Sequence, residues 1–269
     1  SGLVSPALRS WLKTTAGAFD IVHVQHGRDL ITLGALQTVR GRPYVSQTHG
    51  MVGLDERLVA KALDAVATRR LLRSARRLLV LTDAEERDLP SVARAALPIT
   101  RIGNGVPLPD FLPVTRTPGP AQVLFCARLQ PRKRPEAFVR MASSLVEQGV
   151  AADFRLVGPD EGSLLDVQRL VAELDLATHV SYEGALPYDA VLARMRQADV
   201  YVLPSVDEPF PMSLLEAMSL GLPCVITDTC GIAEALRVRR AAVVTDGSPE
   251  QLARAVAGLV EDDEERGAV

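Results

Sequence analysis

Hydrophobic residues in this chain form short runs rich in β-branched side chains, and these runs alternate with longer segments whose apolar residues recur at helical spacing. Several runs, including residues 200–203, are apolar at every position, which is typical of strands covered on both faces. The runs predict ten strands, at residues 19–25, 43–48, 78–82, 99–102, 122–127, 153–157, 180–183, 200–204, 223–227 and 242–245.

The segments between the runs predict helices, because their apolar positions repeat every three to four residues. These helices are expected at residues 28–39, 55–75, 132–148, 163–175, 187–197, 211–220 and 248–260. A chain in which strands alternate with helices builds βαβ units, and the strands of such units are parallel. The predicted fold class is therefore α/β, with a doubly wound sheet.

A proline-rich stretch interrupts this alternation between Gly105 and Pro120. Clustered prolines cannot join a central strand or a helix interior, so we interpret the stretch as an interdomain linker. It divides the chain into a first domain at residues 1–114, with four predicted strands, and a second domain at residues 115–269, with six.

The composition is that of an ordinary globular protein, with 269 residues of which 47% are hydrophobic and 23% charged. Three cysteines are too few for a disulfide framework or a four-ligand zinc site, so a cytoplasmic location is expected. No apolar run approaches the ~18 residues of a membrane span. The net charge of -3 is uneven: the first 113 residues are net basic and the remainder net acidic, which indicates either two domains with different neighbours or drift in surface composition.

Candidate chemistry is sought where strands end and helices begin, because open α/β sheets bind ligands there and helix N-termini offer N–H groups to anions. At residues 203–224 a strand ends at Pro204, an acidic loop follows, and a helix is expected from about Pro211. Glu208 lies in the loop and Glu216 in the helix, so both carboxylates can border a pocket and accept hydrogen bonds from hydroxyl groups. The alternative is a solvated acidic loop followed by a glutamate that the helix dipole favours.

A second junction carries basic residues. Arg128 and Lys133 lie between the strand at 122–127 and the body of the next helix. Cations at a helix N-terminus oppose the helix dipole, so their position favours a bound polyanion such as a diphosphate. The alternative is an exposed basic loop.

The residues at these junctions resemble a known family. Glu208 and Glu216 reproduce an E-x7-E motif, and the sequence around them is similar to the donor site of family 4 retaining glycosyltransferases, which have the GT-B fold. Residues 127–134 are similar to the arginine–lysine diphosphate motif of that family, and residues 102–106 resemble the Asn-Gly-Val turn that ends its first domain. The motifs occur in the family's order, and the resemblance covers nearly the whole chain.

The resemblance implies two Rossmann-like domains whose parallel sheets face a cleft. It also implies transfer of a sugar from a nucleoside-diphosphate sugar to an acceptor hydroxyl with retention of configuration, without a metal and without a cofactor. The acceptor class stays open among a carbohydrate, a lipid-linked molecule and a small molecule. Nucleic acid is not an expected partner.

The family's site residues carry over to matching positions of this chain. Arg128 and Lys133 are implied to bind the donor diphosphate, while Glu208 accepts hydrogen bonds from the transferred sugar and Glu216 from the ribose. His49, which follows the second predicted strand, matches a histidine placed across the cleft. The other implied donor contacts come from Gly158, Gly184, Leu186, Pro209, Phe210, Met212, Ser213 and Leu214.

Two departures from the family keep an alternative open. Pro211 stands where the family often has glycine, and proline removes one amide donor from the pocket rim. The family's first strand with its glycine-rich loop and its closing helix are not recognised, so a truncated chain is expected and a non-catalytic nucleotide-sugar-binding fragment is the alternative function. A nicotinamide oxidoreductase is disfavoured, because Gly103-Asn104-Gly105 leads into prolines rather than a helix.

A cluster of arginines lies in and after the predicted helix at 55–75. Helical spacing predicts that Arg69, Arg73, Arg76 and Arg77 share one side, with Arg70 beside them. Such a face is either a solvated basic surface or a peripheral contact with anionic lipid on the inner face of the membrane.

Overall fold

The computed structural model of the chain describes residues 4–108 and 119–261. It separates into two compact units, Ser1–Asn104 and Gly105–Val269. The domain boundary predicted after residue 114 lies outside the described residues.

The first unit is built on a parallel sheet whose strands follow one another in chain order, β1-β2-β3-β4. Its strands are β1 (Val22–Gln25), β2 (Tyr44–Gln47), β3 (Arg77–Val80) and β4 (Ile99–Arg101). Its helices are α1 (Pro6–Thr15), α2 (Leu30–Val39), α3 (Leu58–Leu63), α4 (Arg69–Ser74) and α5 (Asp83–Ala93), with a 3₁₀ turn at Ala16–Ala18 and a π-helical turn at Asp64–Thr68 that joins α3 to α4.

The second unit contains six parallel strands in the order β10-β9-β8-β5-β6-β7. They are β5 (Ala121–Cys126), β6 (Ala152–Val157), β7 (Val180–Gly184), β8 (Val200–Leu203), β9 (Cys224–Thr227) and β10 (Val243–Thr245). The helices are α6 (Pro135–Glu147), α7 (Leu164–Glu173), α8 (Tyr188–Arg196), α9 (Met212–Ser219), α10 (Ala233–Arg239) and α11 (Pro249–Glu261), and a 3₁₀ turn at Pro131–Lys133 precedes α6.

The central strands of this sheet are covered on both faces, as their continuous apolar runs predicted. Every residue of β8 and β9 is buried. In β8, Val200 and Val202 belong to one core cluster, whereas Tyr201 and Leu203 belong to a second cluster. Successive side chains of a strand point to opposite faces, so the two clusters are the two layers of core that enclose the sheet.

The strand order creates a crevice at the carboxyl edge of the sheet. The chain runs outward from β5 through β6 to β7, and β8 then returns to the other side of β5. Connections leave in opposite directions at this switch point, which is where open α/β sheets bind ligands. The β5–α6 and β8–α9 junctions, which carry the predicted charged residues, meet here.

All ten predicted strands are present, but the basic helical face is wrong. Helix α4 ends at Ser74, Ala75 has extended backbone (ψ 139), and Arg77 begins β3. Arg76 donates its N–H to the Tyr44 carbonyl (2.8 Å), so it belongs to the sheet rather than to the helix. The pairing of β3 with β2 ends the helix two residues before the last two arginines.

Three helices, α1, α5 and α10, were not predicted. Two arginines of the basic cluster also hold one of these helices. The side chains of Arg69 and Arg73 donate to the carbonyls of Val92 (3.1 Å) and Ala93 (2.8 Å) at the C-terminus of α5. Cations are favoured at a helix C-terminus, where carbonyls lack helical partners.

Candidate functional site

A cavity of about 290 Å³ opens at the carboxyl ends of β5 and β6, beside the N-terminus of α9. Seven of its lining residues were predicted from the sequence: Arg128, Lys133, Gly158, Leu186, Glu208, Met212 and Ser213. Pro211, which the sequence analysis places at the pocket rim, also lines the cavity. Five residues were missed: Cys126, Ala127, Val157, Pro159 and Val191. The missed residues are mostly strand ends and helix residues without polar side chains, and nothing in a local pattern distinguishes them from other core residues.

The centre of the charged site is Glu208, whose side chain is paired with two cations. Its carboxylate accepts hydrogen bonds from Lys133 Nζ and from Arg132 Nη1 (3.0 Å). Lys133 and Glu208 are both buried, each 8% exposed. Taking charges out of water is costly unless they are paired, so each of these two side chains stabilises the charged form of the other.

The loop that carries Glu208 is anchored by its backbone. The carbonyl of Glu208 accepts from Gly231 N (2.8 Å), and Val206 N donates to the carbonyl of Arg132 (3.0 Å). The hydroxyl of Thr227 donates to the Ser205 carbonyl (2.5 Å). These bonds tie the loop to Thr227 at the end of β9, to Gly231 and to Arg132 in the 3₁₀ turn, so the carboxylate is fixed at the cavity.

Arg128 lies on the rim rather than in the interior. Its guanidinium pairs with Glu161 (3.1 Å) and is half exposed. The backbone beside it is tightly packed: Gly158 has φ +146, and a Cβ there would lie 2.0 Å from the carbonyl oxygen of Ala127. Gly158 also donates its N–H to the Gly184 carbonyl (2.9 Å). Glycine at 158 thus lets the ends of three strands meet at the cavity wall.

The N-terminus of α9 forms another wall. Pro211 is the N-cap, and no side chain caps the helix, so the N–H groups of its first turn have no partner within the helix. The buried hydroxyl of Tyr201 contacts Ser213 Oγ (2.8 Å) and donates to the Cys126 carbonyl (3.2 Å). This bridge holds the start of α9 against the end of β5.

Five of the predicted donor residues do not line the cavity: Gly184, Pro209, Phe210, Leu214 and Glu216. Leu214 is fully buried in the core. Glu216 is one helical turn after Met212, so it shares the face of α9 that reaches the cavity. Burial raises the pKa of Glu216. Burial, together with the charge of Glu216, also raises the pKa of Cys126 to about 12.

His49 lies in the first unit, at the carboxyl edge of its sheet just after β2. It adopts a left-handed backbone conformation (φ 49), and its Nε2 contacts the side-chain oxygen of Gln25 at the end of β1. In the described parts of the chain, no group of three or more His, Cys, Asp or Glu side chains could hold a metal ion. Metal-independent chemistry stays a prediction. Within those same residues, none of the helices has the length and apolarity needed to cross a bilayer.

Two α/β units with parallel sheets, one with a charged cavity at its switch point, define a protein of the Rossmann-like nucleotide-binding class. The sequence matches two family models: "Glycosyl transferases group 1" over residues 113–269 and "Glycosyl transferase 4-like domain" over residues 3–105. The chain belongs to the glycosyl transferases group 1 family, and the resemblance stated from its motifs is confirmed.

Relatives and solved structures agree with this assignment. The chain is 28% identical over 250 residues to a D-inositol 3-phosphate glycosyltransferase of Pseudarthrobacter chlorophenolicus, covering 86% of this chain and 60% of that protein. It is 27% identical to the protein of the same name from Thermobispora bispora, covering 99% and 68%. The chain thus spans about two thirds of the length of these relatives.

The crystal structure of Anabaena HepE in complex with UDP and glucose superimposes with a TM-score of 0.76 at 20% identity, over 97% of this chain and 73% of HepE. This likeness confirms the predicted α/β fold with two parallel sheets of the GT-B type.

Proposed function

We propose that this chain is a glycosyltransferase that moves a sugar from a nucleoside-diphosphate sugar to an acceptor hydroxyl. The observation that carries the proposal is the meeting of Arg128, Lys133 and Glu208 at one cavity, beside the uncapped N-terminus of α9. Two cations and a helix N-terminus suit a diphosphate, and an adjacent carboxylate suits the hydroxyls of a sugar.

In this proposal Lys133 and Arg128 both bind the diphosphate. Lys133 is held inside by its pair with Glu208, whereas Arg128 approaches from the exposed rim. The amides of Met212 and Ser213 supply further donors. Because Pro209 and Pro211 have no N–H, fewer backbone donors face the sugar here than a glycine-rich loop would offer.

The carboxylates select hydroxyl groups. Glu208, fixed at its backbone by Gly231 N, accepts from hydroxyls of the transferred sugar, and Glu216 accepts from the ribose. Gly158 and Leu186 line the cavity and are proposed to face the base, and Gly184 supports them through its carbonyl, which accepts from Gly158 N.

Retention of configuration follows if the acceptor attacks from the face that the diphosphate leaves. The departing diphosphate then takes the acceptor proton, and Arg128, Lys133 and the amides of α9 stabilise its growing charge. His49, at the carboxyl edge of the first sheet, is proposed to contact the acceptor. No metal and no cofactor take part in this scheme.

The names of similar proteins suggest which ligands to try first. HepE was crystallised with UDP and glucose, and the named acceptor of the inositol relatives is D-inositol 3-phosphate. We therefore propose UDP-glucose as the first donor and an inositol phosphate as the first acceptor, with other carbohydrates, small molecules and lipid-linked molecules as the alternatives.

A thermal-shift screen with UDP-, GDP- and ADP-sugars tests donor binding. A ligand at ~100 times its dissociation constant stabilises the folded protein by about 2.7 kcal/mol. Lys133→Ala should abolish the shift, and Arg169→Ala, which removes an exposed arginine on α7, should retain it. If no sugar nucleotide stabilises the chain, or if the variants shift alike, the donor site is wrong.

A non-catalytic nucleotide-sugar-binding chain is the second candidate, because Pro211 removes one amide donor from the N-terminus of α9 at the cavity. Release of nucleoside diphosphate over time, with and without acceptor, separates the two functions. Binding without turnover by the chain favours the second candidate.

We also propose a cytoplasmic location with peripheral contact to anionic lipid through the helical segment at 58–74. Leu58, Val59 and Val66 on this segment are 84%, 73% and 82% exposed, and Arg70 is exposed beside them. Exposed apolar residues next to cations suit a lipid surface. The free cysteines at 126, 224 and 230 are consistent with a reducing compartment.

Co-sedimentation with anionic vesicles at low salt tests this contact. Replacing Leu58 and Val59 by serine should weaken binding, while Val238→Ser, which changes an equally exposed residue on α10, should not. Equal binding to neutral and anionic vesicles, or no binding to either, would eliminate the proposed contact with anionic lipid.

A further inference from the structure

A buried carboxylate in the first unit binds the residues on both sides of His49. Glu85 lies in the first turn of α5 and is 4% exposed. Its Oε1 accepts hydrogen bonds from Thr48 Oγ1 (2.5 Å) and from Gly50 N (2.5 Å), the residues that precede and follow His49. One carboxylate oxygen therefore holds the two residues that flank His49.

The local sequence of Glu85 predicts a purely local role, which the structure does not bear out. Thr82 is the N-cap of α5 and its hydroxyl accepts from Glu85 N (3.2 Å), which is half of a capping box. In a capping box the glutamate returns to the N-cap N–H. Here its Oε2 accepts from Leu81 N instead (2.8 Å), and its Oε1 reaches the loop after β2.

The segment that Glu85 holds is a strained turn. Met51 N donates to the Thr48 carbonyl (2.8 Å), and the two central residues, His49 and Gly50, both have positive φ, 49 and 74. Such a turn suits glycine at both central positions, and a histidine there costs free energy. A strained residue persists only where its surroundings over-determine it. The two hydrogen bonds that Glu85 accepts from Thr48 and Gly50, together with the Met51–Thr48 bond of the turn, provide that constraint.

The turn also sets the direction of the imidazole. Nε2 of His49 contacts Oε1 of Gln25, which ends the neighbouring strand β1. This contact ties the ring to the end of β1, while the turn fixes the backbone that carries it.

We infer that Glu85 is a positioning residue that fixes His49 in this turn and so sets the direction of its imidazole. The inference rests on the proposed function in that it assigns His49 to sugar transfer. We call the hydrogen bonds that Glu85 accepts from Thr48 and Gly50 the clamp, and the clamp does not depend on the proposed function.

The clamp is tested on the full chain without any substrate, by a thermodynamic cycle. Glu85→Gln should lower the melting temperature, because at least one of the three donor groups that the carboxylate accepts from then faces an amide N–H. In a His49→Gly background, where glycine accepts positive φ without strain, the same substitution should lower it by about 2 °C less. Equal losses in both backgrounds would overturn the clamp.

A spectroscopic readout isolates the imidazole. The chain has four histidines, so ring nitrogen resonances can be assigned by single replacements. Glu85→Gln and Thr48→Val should move the His49 ring resonances towards those of a mobile imidazole, Thr48→Ser should restore them, and Glu86→Gln, an exposed neighbour on α5, should leave them unchanged. Unmoved His49 resonances in both disruptive variants would overturn the proposal.

Kinetics then connect the clamp to transfer. Glu85→Gln should reduce kcat by about 10-fold or more, since small misplacements are costly, while the affinity for nucleoside diphosphate stays unchanged. If wild type shows no turnover, the proposed function fails, while the melting and resonance results still decide the clamp. An active Glu85→Gln enzyme with wild-type kcat would overturn the positioning role.

Discussion

Lys133 and Glu208 form a buried ion pair although 75 positions separate them in the chain. The pair joins the β5–α6 junction to the β8–α9 junction, so the residue proposed for the diphosphate and the residue proposed for the sugar hold each other in place. Arg132 is the second partner of Glu208 at 3.0 Å, so the carboxylate keeps one ion pair if Lys133 turns to a ligand.

Removing Lys133 should affect both stability and binding, whereas removing Arg128 should affect binding only. Lys133→Ala leaves Glu208 buried with Arg132 alone and should cost about 2 kcal/mol of unfolding free energy. The Arg128–Glu161 pair is half exposed, so Arg128→Ala should cost under ~1 kcal/mol. Each should weaken donor binding by about 1.5–3 kcal/mol. Urea unfolding and calorimetry measure these effects, and unchanged affinity in both variants would remove them from the site.

The two carboxylates should separate when tested with free nucleoside diphosphate. Glu208→Gln removes the charge that competes for Lys133, so it should impair sugar transfer without weakening nucleoside diphosphate binding. Glu216→Gln should weaken both, because it is assigned to the ribose. Calorimetry with the nucleoside diphosphate, alongside transfer rates, measures the difference. Identical behaviour of the two variants would show that this division of roles is wrong.

Gly158→Ala should destabilise the second unit and disturb the site. Its Cβ would lie 2.0 Å from the backbone oxygen of Ala127, and neither strand end can move freely. We expect a loss of about 2–4 kcal/mol in urea unfolding. The matched control is Gly149→Ala, which also has positive φ (+77) but open space around it, and should cost only ~1 kcal/mol. Similar losses at both positions would contradict the close contact.

His26 should make stability depend on pH. Burial lowers its pKa from 6.5 to about 4, and Arg28 adds to this, although Asp29 and Asp64 oppose it. The unfolded chain therefore binds more protons than the folded chain between pH 4 and 6.5. The contribution of His26 to the free energy of unfolding should be fully present above pH 6.5, and the free energy should fall by roughly 3 kcal/mol as the pH drops to 4.

Urea unfolding across this range, with ring titration by NMR, measures the His26 effect. His26→Asn should flatten the dependence, whereas His179→Asn serves as the control at another histidine. A His26 ring that titrates near 6.5 in the folded protein would contradict the prediction.

The local pattern of the sequence was enough for the strands, for most of the helices and for the motif positions, although it missed α1, α5 and α10. Strand and helix periods depend on neighbouring residues, so the apolar runs at β8 and β9 predicted buried strands without any knowledge of their partner strands. The spacing of Glu208 and Glu216 places one in a loop and the other on the helix that follows. These inferences need only residues that are close in the chain.

The tertiary structure decided which residues meet. Pairing of β3 with β2 took Arg76 and Arg77 off the helix, and the return of β8 beside β5 brought Lys133 to Glu208. The packing of α5 beside the loop after β2 likewise brought Glu85 to Thr48. Contacts between distant segments depend on strand order and burial, and no local period encodes them.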